Sequence, residues 1–279
     1  MVPLLLAFWS GMIWGTADFL GGLWSRRLPL LVVSTLSQAA GLLFIGAIVL
    51  VRWQGPEEAA AIGFGLAGGA ASAIGLSALY RGLAIGRMGV VAPTAALSGT
   101  VPVAWGLLRG DRPGALQLVG VALAIAGVVL AARSADRVAG KRTTAGVGLA
   151  LVAAVSLGTL VVLLDEAGRT DPLWGVLMVR VGALTLLSVA VLARRPRFDV
   201  SSGQAGRLGL VGVLDNGANL SFALAAEAGG LLTLTSVLGS LYPVATVVLA
   251  RFVLHERLAP LQTAGVVAAM IGVALIAAG

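Results

Sequence analysis

The chain has 279 residues, of which 58% are hydrophobic and only 11% charged, and its mean hydropathy is +1.00. A soluble domain of this size carries charge on roughly a quarter of its residues, so a soluble globular protein is excluded and a polytopic helical membrane protein remains. The net charge of +7 does not point to nucleic acid, because the basic residues sit between apolar runs; the lack of cysteine removes disulfide and thiolate chemistry, and His255 alone leaves little for a metal.

Taken in order, the apolar runs predict ten spans of about 18–23 residues, at roughly 3–23, 30–51, 59–80, 88–108, 115–133, 144–164, 172–193, 207–226, 230–252 and 260–278. Met1 leads almost directly into the first run with no basic stretch before it, so that run is read as a span and not a signal peptide. The fourth and ninth runs are copies of one another. Val90–Arg112 aligns with Leu231–Arg257, so that Thr94 matches Thr235, Gly99 matches Ser240 and Pro102 matches Pro243. Both copies end in an acid–arginine pair, Asp111-Arg112 and Glu256-Arg257, followed by Leu116-Gln117 and Leu261-Gln262. The chain therefore reads as a duplication: a first repeat over 1–135, a basic connector over 136–143, and a second repeat over 144–279.

Five spans per repeat is an odd number, which turns the second repeat upside down and predicts an all-α integral membrane protein of two inverted five-helix repeats. The charges agree. The connectors after spans 1, 3, 5, 7 and 9 hold Arg26, Arg27, Arg81, Arg87, Arg133, Arg137, Lys141, Arg142, Arg194, Arg195, Arg197, Arg207, Arg251 and Arg257, whereas the alternate connectors hold only Arg52, Arg109, Arg112 and Arg169. The first set should face the cytoplasm, leaving both termini outside.

Ten spans, Trp14-Gly15 in span 1, the proline-containing spans 4 and 9, the Glu256-Arg257 end and the Gln262-x-x-Gly265 that follows it together resemble the EamA type of the drug/metabolite transporter superfamily. The resemblance implies a central cavity lined mainly by spans 1, 3, 4, 6, 8 and 9, and a location in the plasma (inner) membrane. It also implies a small-molecule substrate, since members move amino acids, other metabolites, drugs or nucleotide sugars, and many bacterial ones are exporters. No cofactor is implied. This chain departs from the pattern in its second half, where Leu157-Gly158 stands in place of the Trp-Gly pair. The charge count also opposes the cytoplasmic termini drawn for many members.

Charges inside spans cost about 2.5–3.5 kcal/mol each at mid-helix, and three are present: Asp18, Arg180 and Asp215. Asp18 shares a helix face with Gly11, Gly15 and Gly22 and lies one turn from Trp14. It is read as a proton- or cation-binding carboxylate at the cavity, or as an acid paired with Arg26 or Arg27. Asp215, Asn216 and Asn219 form one polar flank in span 8, whereas their counterparts Ile74, Gly75 and Ala78 are non-polar. That flank is expected to be a substrate or coupling site lining the cavity, with an interhelical hydrogen-bond network as the alternative. Arg180 needs a partner, Asp215 or Asp18, and is either half of a structural ion pair or an anion-binding group for a carboxylate-bearing metabolite.

Pro102 and Pro243, with Ser98, Gly99, Gly239 and Ser240 beside them, mark points where a helix can bend and gate, or merely kink. Tyr80 and Tyr242 either face the cavity or anchor at the membrane interface. Gly120 and Gly127 recur as Gly265 and Gly272 on single faces of spans 5 and 10, for close packing or for a homodimer. The function expected is secondary transport by alternating access, with the proton as a candidate coupling ion, because no nucleotide-binding loop is present. An intramembrane enzyme would need a nucleophile with its base, or a metal cluster, and the spans contain no cysteine and no histidine. In a purely structural or receptor-like protein the three span charges would serve no purpose.

Overall fold

The computed structural model describes residues 1–52, 55–86, 88–133, 141–254 and 260–278, and these are helical with no strand among them. The helices are α1 (Val2–Ser25), α2 (Leu30–Arg52), α3 (Ala59–Ile85), α4 (Met88–Ala95), α5 (Thr100–Leu108), α6 (Ala115–Arg133), α7 (Lys141–Thr170), α8 (Pro172–Arg194), α9 (Ser202–Glu227), α10 (Leu232–Gly239), α11 (Tyr242–Val253) and α12 (Pro260–Ala278). Among the described residues seven stretches are long and apolar enough to cross a membrane: α1, α2, α3, α7 from Ala145, α8, α9, and α10 with α11. The chain is a multi-pass membrane protein. His255, Glu256 and Arg257 lie outside the described residues, as do Arg87, Arg137 and most of the connector.

Local chemistry sets the helix ends. Asp171 caps α8 by accepting from the Trp174 amide at 3.1 Å, with Pro172 in the first turn, where its missing N–H has no intrahelical partner to lose. The same Asp171-Pro172 step stops α7, which runs past the expected end near 164. Ser201 and Gln204 make a reciprocal capping box, so α9 begins before the apolar run expected from 207. Lys141 begins α7 inside the stretch read as connector.

The two duplicated runs are not continuous helices. The first is α4, a 3-10 turn at Ala96–Gly99, then α5; the second is α10, Ser240 and Leu241, then α11. Proline explains both interruptions. Its ring clashes with the carbonyl four residues back and its nitrogen cannot donate. For Pro102 that carbonyl belongs to Ser98, and for Pro243 to Gly239, at the two breaks.

Helix α1 packs along α9, and α7 packs along α3; α2 lies against α8 and α9, and α8 also lies against α3. Helix α1 also meets α10 and α11, as α7 meets α4 and α5, while α6 packs along α12. Glycines allow the tightest of these crossings. A Cβ at Gly15 would strike the Tyr242 carbonyl, and one at Gly158 would sit 2.6 Å from the Ser98 carbonyl and 2.7 Å from Val101 Cβ. Tyr242 and Val101 are counterparts in the duplicated runs, so the same approach is made in each half. The Thr246 hydroxyl donates to the Gly15 carbonyl at 2.9 Å in that crossing.

Candidate functional site

The breaks of the two interrupted helices meet. A Cβ at Gly99 would overlap the Ser240 side chain, which itself donates to the Ser236 carbonyl at 2.6 Å. Beside this contact a cavity holds about 470 Å³ of empty space, its mouth included. Its polar wall is Trp14, Asp18, Ser98, Asp215, Ser236, Ser240 and Tyr242. Gly239 and the side chains of Leu76, Leu157, Leu160, Val161 and Phe222 complete it. Both halves of the chain therefore contribute to one wall.

The three span charges divide into a pair and a single acid. Arg180 is 0% exposed. Its Nη1 donates to Asp215 Oδ2 and to Gln38 Oε1, both at 2.6 Å, and its Nε donates to Asn216 Oδ1 at 2.7 Å. Burial of a guanidinium demands such partners, because an unpaired charge away from water is costly; its Nη2 is buried without one. Of the two candidate partners, Asp215 is the one engaged. Arg180 itself is absent from the cavity wall. Asp18, 5% exposed, is on the wall and makes no ion pair among the described residues. Arg26 and Arg27, considered as its partners, are engaged elsewhere. Arg26 donates to the Leu83 carbonyl, and Arg27 lies over the Trp24 ring.

The polar flank of α9 splits between two layers. Asp215 reaches the wall, whereas Asn216 and Asn219 are fully buried behind it. Asn216 holds Arg180, and Asn219 Oδ1 accepts from Trp14 Nε1 at 3.0 Å. The Trp14 ring also stacks against Phe222 with centroids 5.6 Å apart. So the two amides orient two other side chains and do not line the cavity as expected. Tyr242 lines it, while Tyr80 is buried against Gly21 of α1. Gly99 is at the break but off the wall, and Pro102 is buried in α5. The Pro243 side chain is outside the described residues.

Gln38 was not singled out from sequence. It occupies in α2 the place that Arg180 occupies in α8, so the two are positional counterparts that meet. Asp111 is the second surprise. The span-end acid reaches across the bundle to accept from the Thr233 amide and hydroxyl, both at 2.8 Å, and so caps the start of α10. Nearby, Arg109 pairs with Glu166 at 3.1 Å, and Arg169 pairs with Asp165 at 2.8 Å while donating to the Gly230 carbonyl. These contacts tie the ends of α5 and α7 to the start of α10 on one side of the cavity.

No curated protein matches the chain. Solved structures do, 27 chains in all. One crystal structure of a protein superposes with a TM-score of 0.75 at 15% identity, over 98% of this chain and 95% of that one. That identity shows a shared fold and nothing more. Residues 144–278, just under half of the chain, match the EamA-like transporter family, a match that begins where the second repeat was drawn and takes in Asp215, Phe222, Ser240 and Tyr242 of the cavity wall. Over its second half the chain therefore matches the EamA-like transporter family, in keeping with the resemblance of the sequence to the EamA type of the drug/metabolite transporters.

Proposed function

We propose that this protein is a secondary transporter that carries a small metabolite or drug-like compound across the plasma (inner) membrane, as an exporter working by alternating access. The observation that carries the reading is the cavity at mid-bundle. It is walled by both halves and placed where two proline-broken helices touch, so a shift of one half against the other would change which side reaches it. The reading takes the chain as ten spans in two inverted repeats, 1–135 and 144–279, joined by the connector 136–143. The packing supports it, because exchanging the halves turns the most extensive pairings between different helices into others that are present: α1 with α9 becomes α7 with α3, and α2 with α9 becomes α8 with α3. The termini are assigned to the outside on the charge bias of the connectors.

Coupling to protons is assigned to Asp18. Asp215 is paired with Arg180, whereas Asp18 sits on the wall with no ion-pair partner among the described residues. A homodimer would have to use the outer faces of α6 and α12, where Val119, Val267 and Ile271 are exposed. The inner glycine faces are already used within the chain: a Cβ at Gly272 would lie 2.6 Å from the Gly120 carbonyl.

The experiment is flux in proteoliposomes with radiolabelled amino acids, sugars, nucleosides and organic cations. Saturable counterflow of one class, with the compound recovered unchanged, is expected. Conversion of the compound without counterflow would instead mark an intramembrane enzyme, and neither flux nor conversion would mark a structural or receptor-like protein.

A further inference from the structure

We infer that the cavity takes a positively charged, partly apolar small molecule, with the Asp18 carboxylate as its counter-ion. The inference rests on the transporter reading for what happens to the molecule after it binds. Of the charges at mid-bundle, Arg180 and Asp215 neutralise one another and are held by Gln38 and Asn216. Among the described residues that leaves the wall with one uncompensated carboxylate. Asp18 is 95% buried, faces the cavity and has neither an ion-pair nor a hydrogen-bond partner among the described residues. No lysine or arginine is among the described residues of that wall.

Such a carboxylate needs a counterpart, because burying an ionised group alone is costly and burying it with a partner is not. An organic ammonium supplies the charge. Its apolar part finds the rings of Trp14, Phe222 and Tyr242 on the same wall, and a cation close to such faces gains further from their quadrupoles. The Ser98 and Ser240 hydroxyls on the wall can accept remaining N–H groups. A carboxylate-bearing compound would meet the reverse situation. It would place an anion beside Asp18, while the Arg180 guanidinium is fully buried with Asp215. The earlier expectation that Arg180 could bind a substrate carboxylate is therefore replaced by recognition of a cation.

The test uses the purified full chain and three probes of one shape and three charges: phenethylammonium, 2-phenylethanol and 3-phenylpropionate, titrated by calorimetry. Phenethylammonium should bind saturably, the alcohol more weakly, and the carboxylate least. Asp18→Asn should weaken phenethylammonium by about 30-fold or more, the loss expected when one member of a desolvated charge pair is removed, and should leave the alcohol unchanged. Asp18→Glu should retain the preference. The probe order on the unmodified chain stands as a test even where Asp18→Asn fails to fold. Equal or tighter binding of the alcohol or carboxylate, no binding of the ammonium at millimolar concentration, or an Asp18→Asn variant that binds it undiminished would each overturn the inference. Counterflow of an anionic or neutral solute would overturn it while leaving transport intact; ammonium binding without any flux would do the opposite.

Discussion

Arg180→Met is the sharpest perturbation of the bundle interior. The substitution keeps an unbranched apolar stem and removes every hydrogen bond the guanidinium makes. Removing one member of a buried ion pair costs about 3–5 kcal/mol, because the other charge stays buried. Side-chain hydrogen bonds across membrane helices average about 0.6 kcal/mol, so losing Arg180 as donor to Gln38 and Asn216 adds about 1 kcal/mol. The single variant should therefore lose about 4–6 kcal/mol. Adding Asp215→Asn removes the stranded charge and should recover most of that, leaving a deficit of about 1–2 kcal/mol. The assay is equilibrium unfolding in mixed detergent micelles, followed by helix content, for both single variants and the double. A single-variant cost within the range of exposed surface pairs, about 1 kcal/mol or less, would refute the reasoning. So would a double variant no more stable than Arg180→Met alone.

Two glycines of α9 should respond in opposite directions. Gly212→Ala would drive a Cβ into the Ser37 carbonyl of α2 and should cost about 1–3 kcal/mol in the same unfolding assay, whereas Gly217→Ala, which points into open space, should gain about 0.5–1 kcal/mol from the lower freedom of the unfolded chain. Asp111→Ala removes the cap on Thr233 and should destabilise by about 1 kcal/mol, with hydrogen exchange rising first at the start of α10; exchange confined to other helices would contradict the capping role. Because the chain has no cysteine, Gly55→Cys and Asp199→Cys report orientation cleanly. In whole cells an impermeant thiol reagent should label Gly55→Cys and spare Asp199→Cys, and the reverse pattern would assign both termini to the cytoplasm.

What was legible in the sequence follows from the physics of the bilayer. Charges stand out in apolar runs because each is costly there, so Asp18, Arg180 and Asp215 could be chosen without coordinates, and a proline pair at matching positions located the breaks. The direction of a side chain around its helix was less accessible. Asn216 and Asn219 share a polar flank with Asp215, yet only Asp215 reaches the wall, because small rotations about α9 decide which residue faces the space and which faces α1 or α8. Gln38 escaped notice because a neutral amide perturbs hydropathy little; its signal was its register with Arg180 in the duplicated helices. Asp111 was read as a mark of the repeat. Its bond to Thr233 joins residues 122 positions apart, a contact that no local pattern encodes.

The most direct test of the account is the accessibility of one wall residue from both sides of the membrane. Ser240 lines the cavity at the break between α10 and α11, and Ser240→Cys would be the only thiol in the chain. Right-side-out and inside-out vesicles bearing this variant are treated with a membrane-impermeant thiol reagent. Alternating access predicts labelling in both preparations, and slower labelling in each when a transported solute fills the cavity. Labelling confined to one preparation would contradict the account, since a wall residue reached from only one side does not belong to a transport pathway.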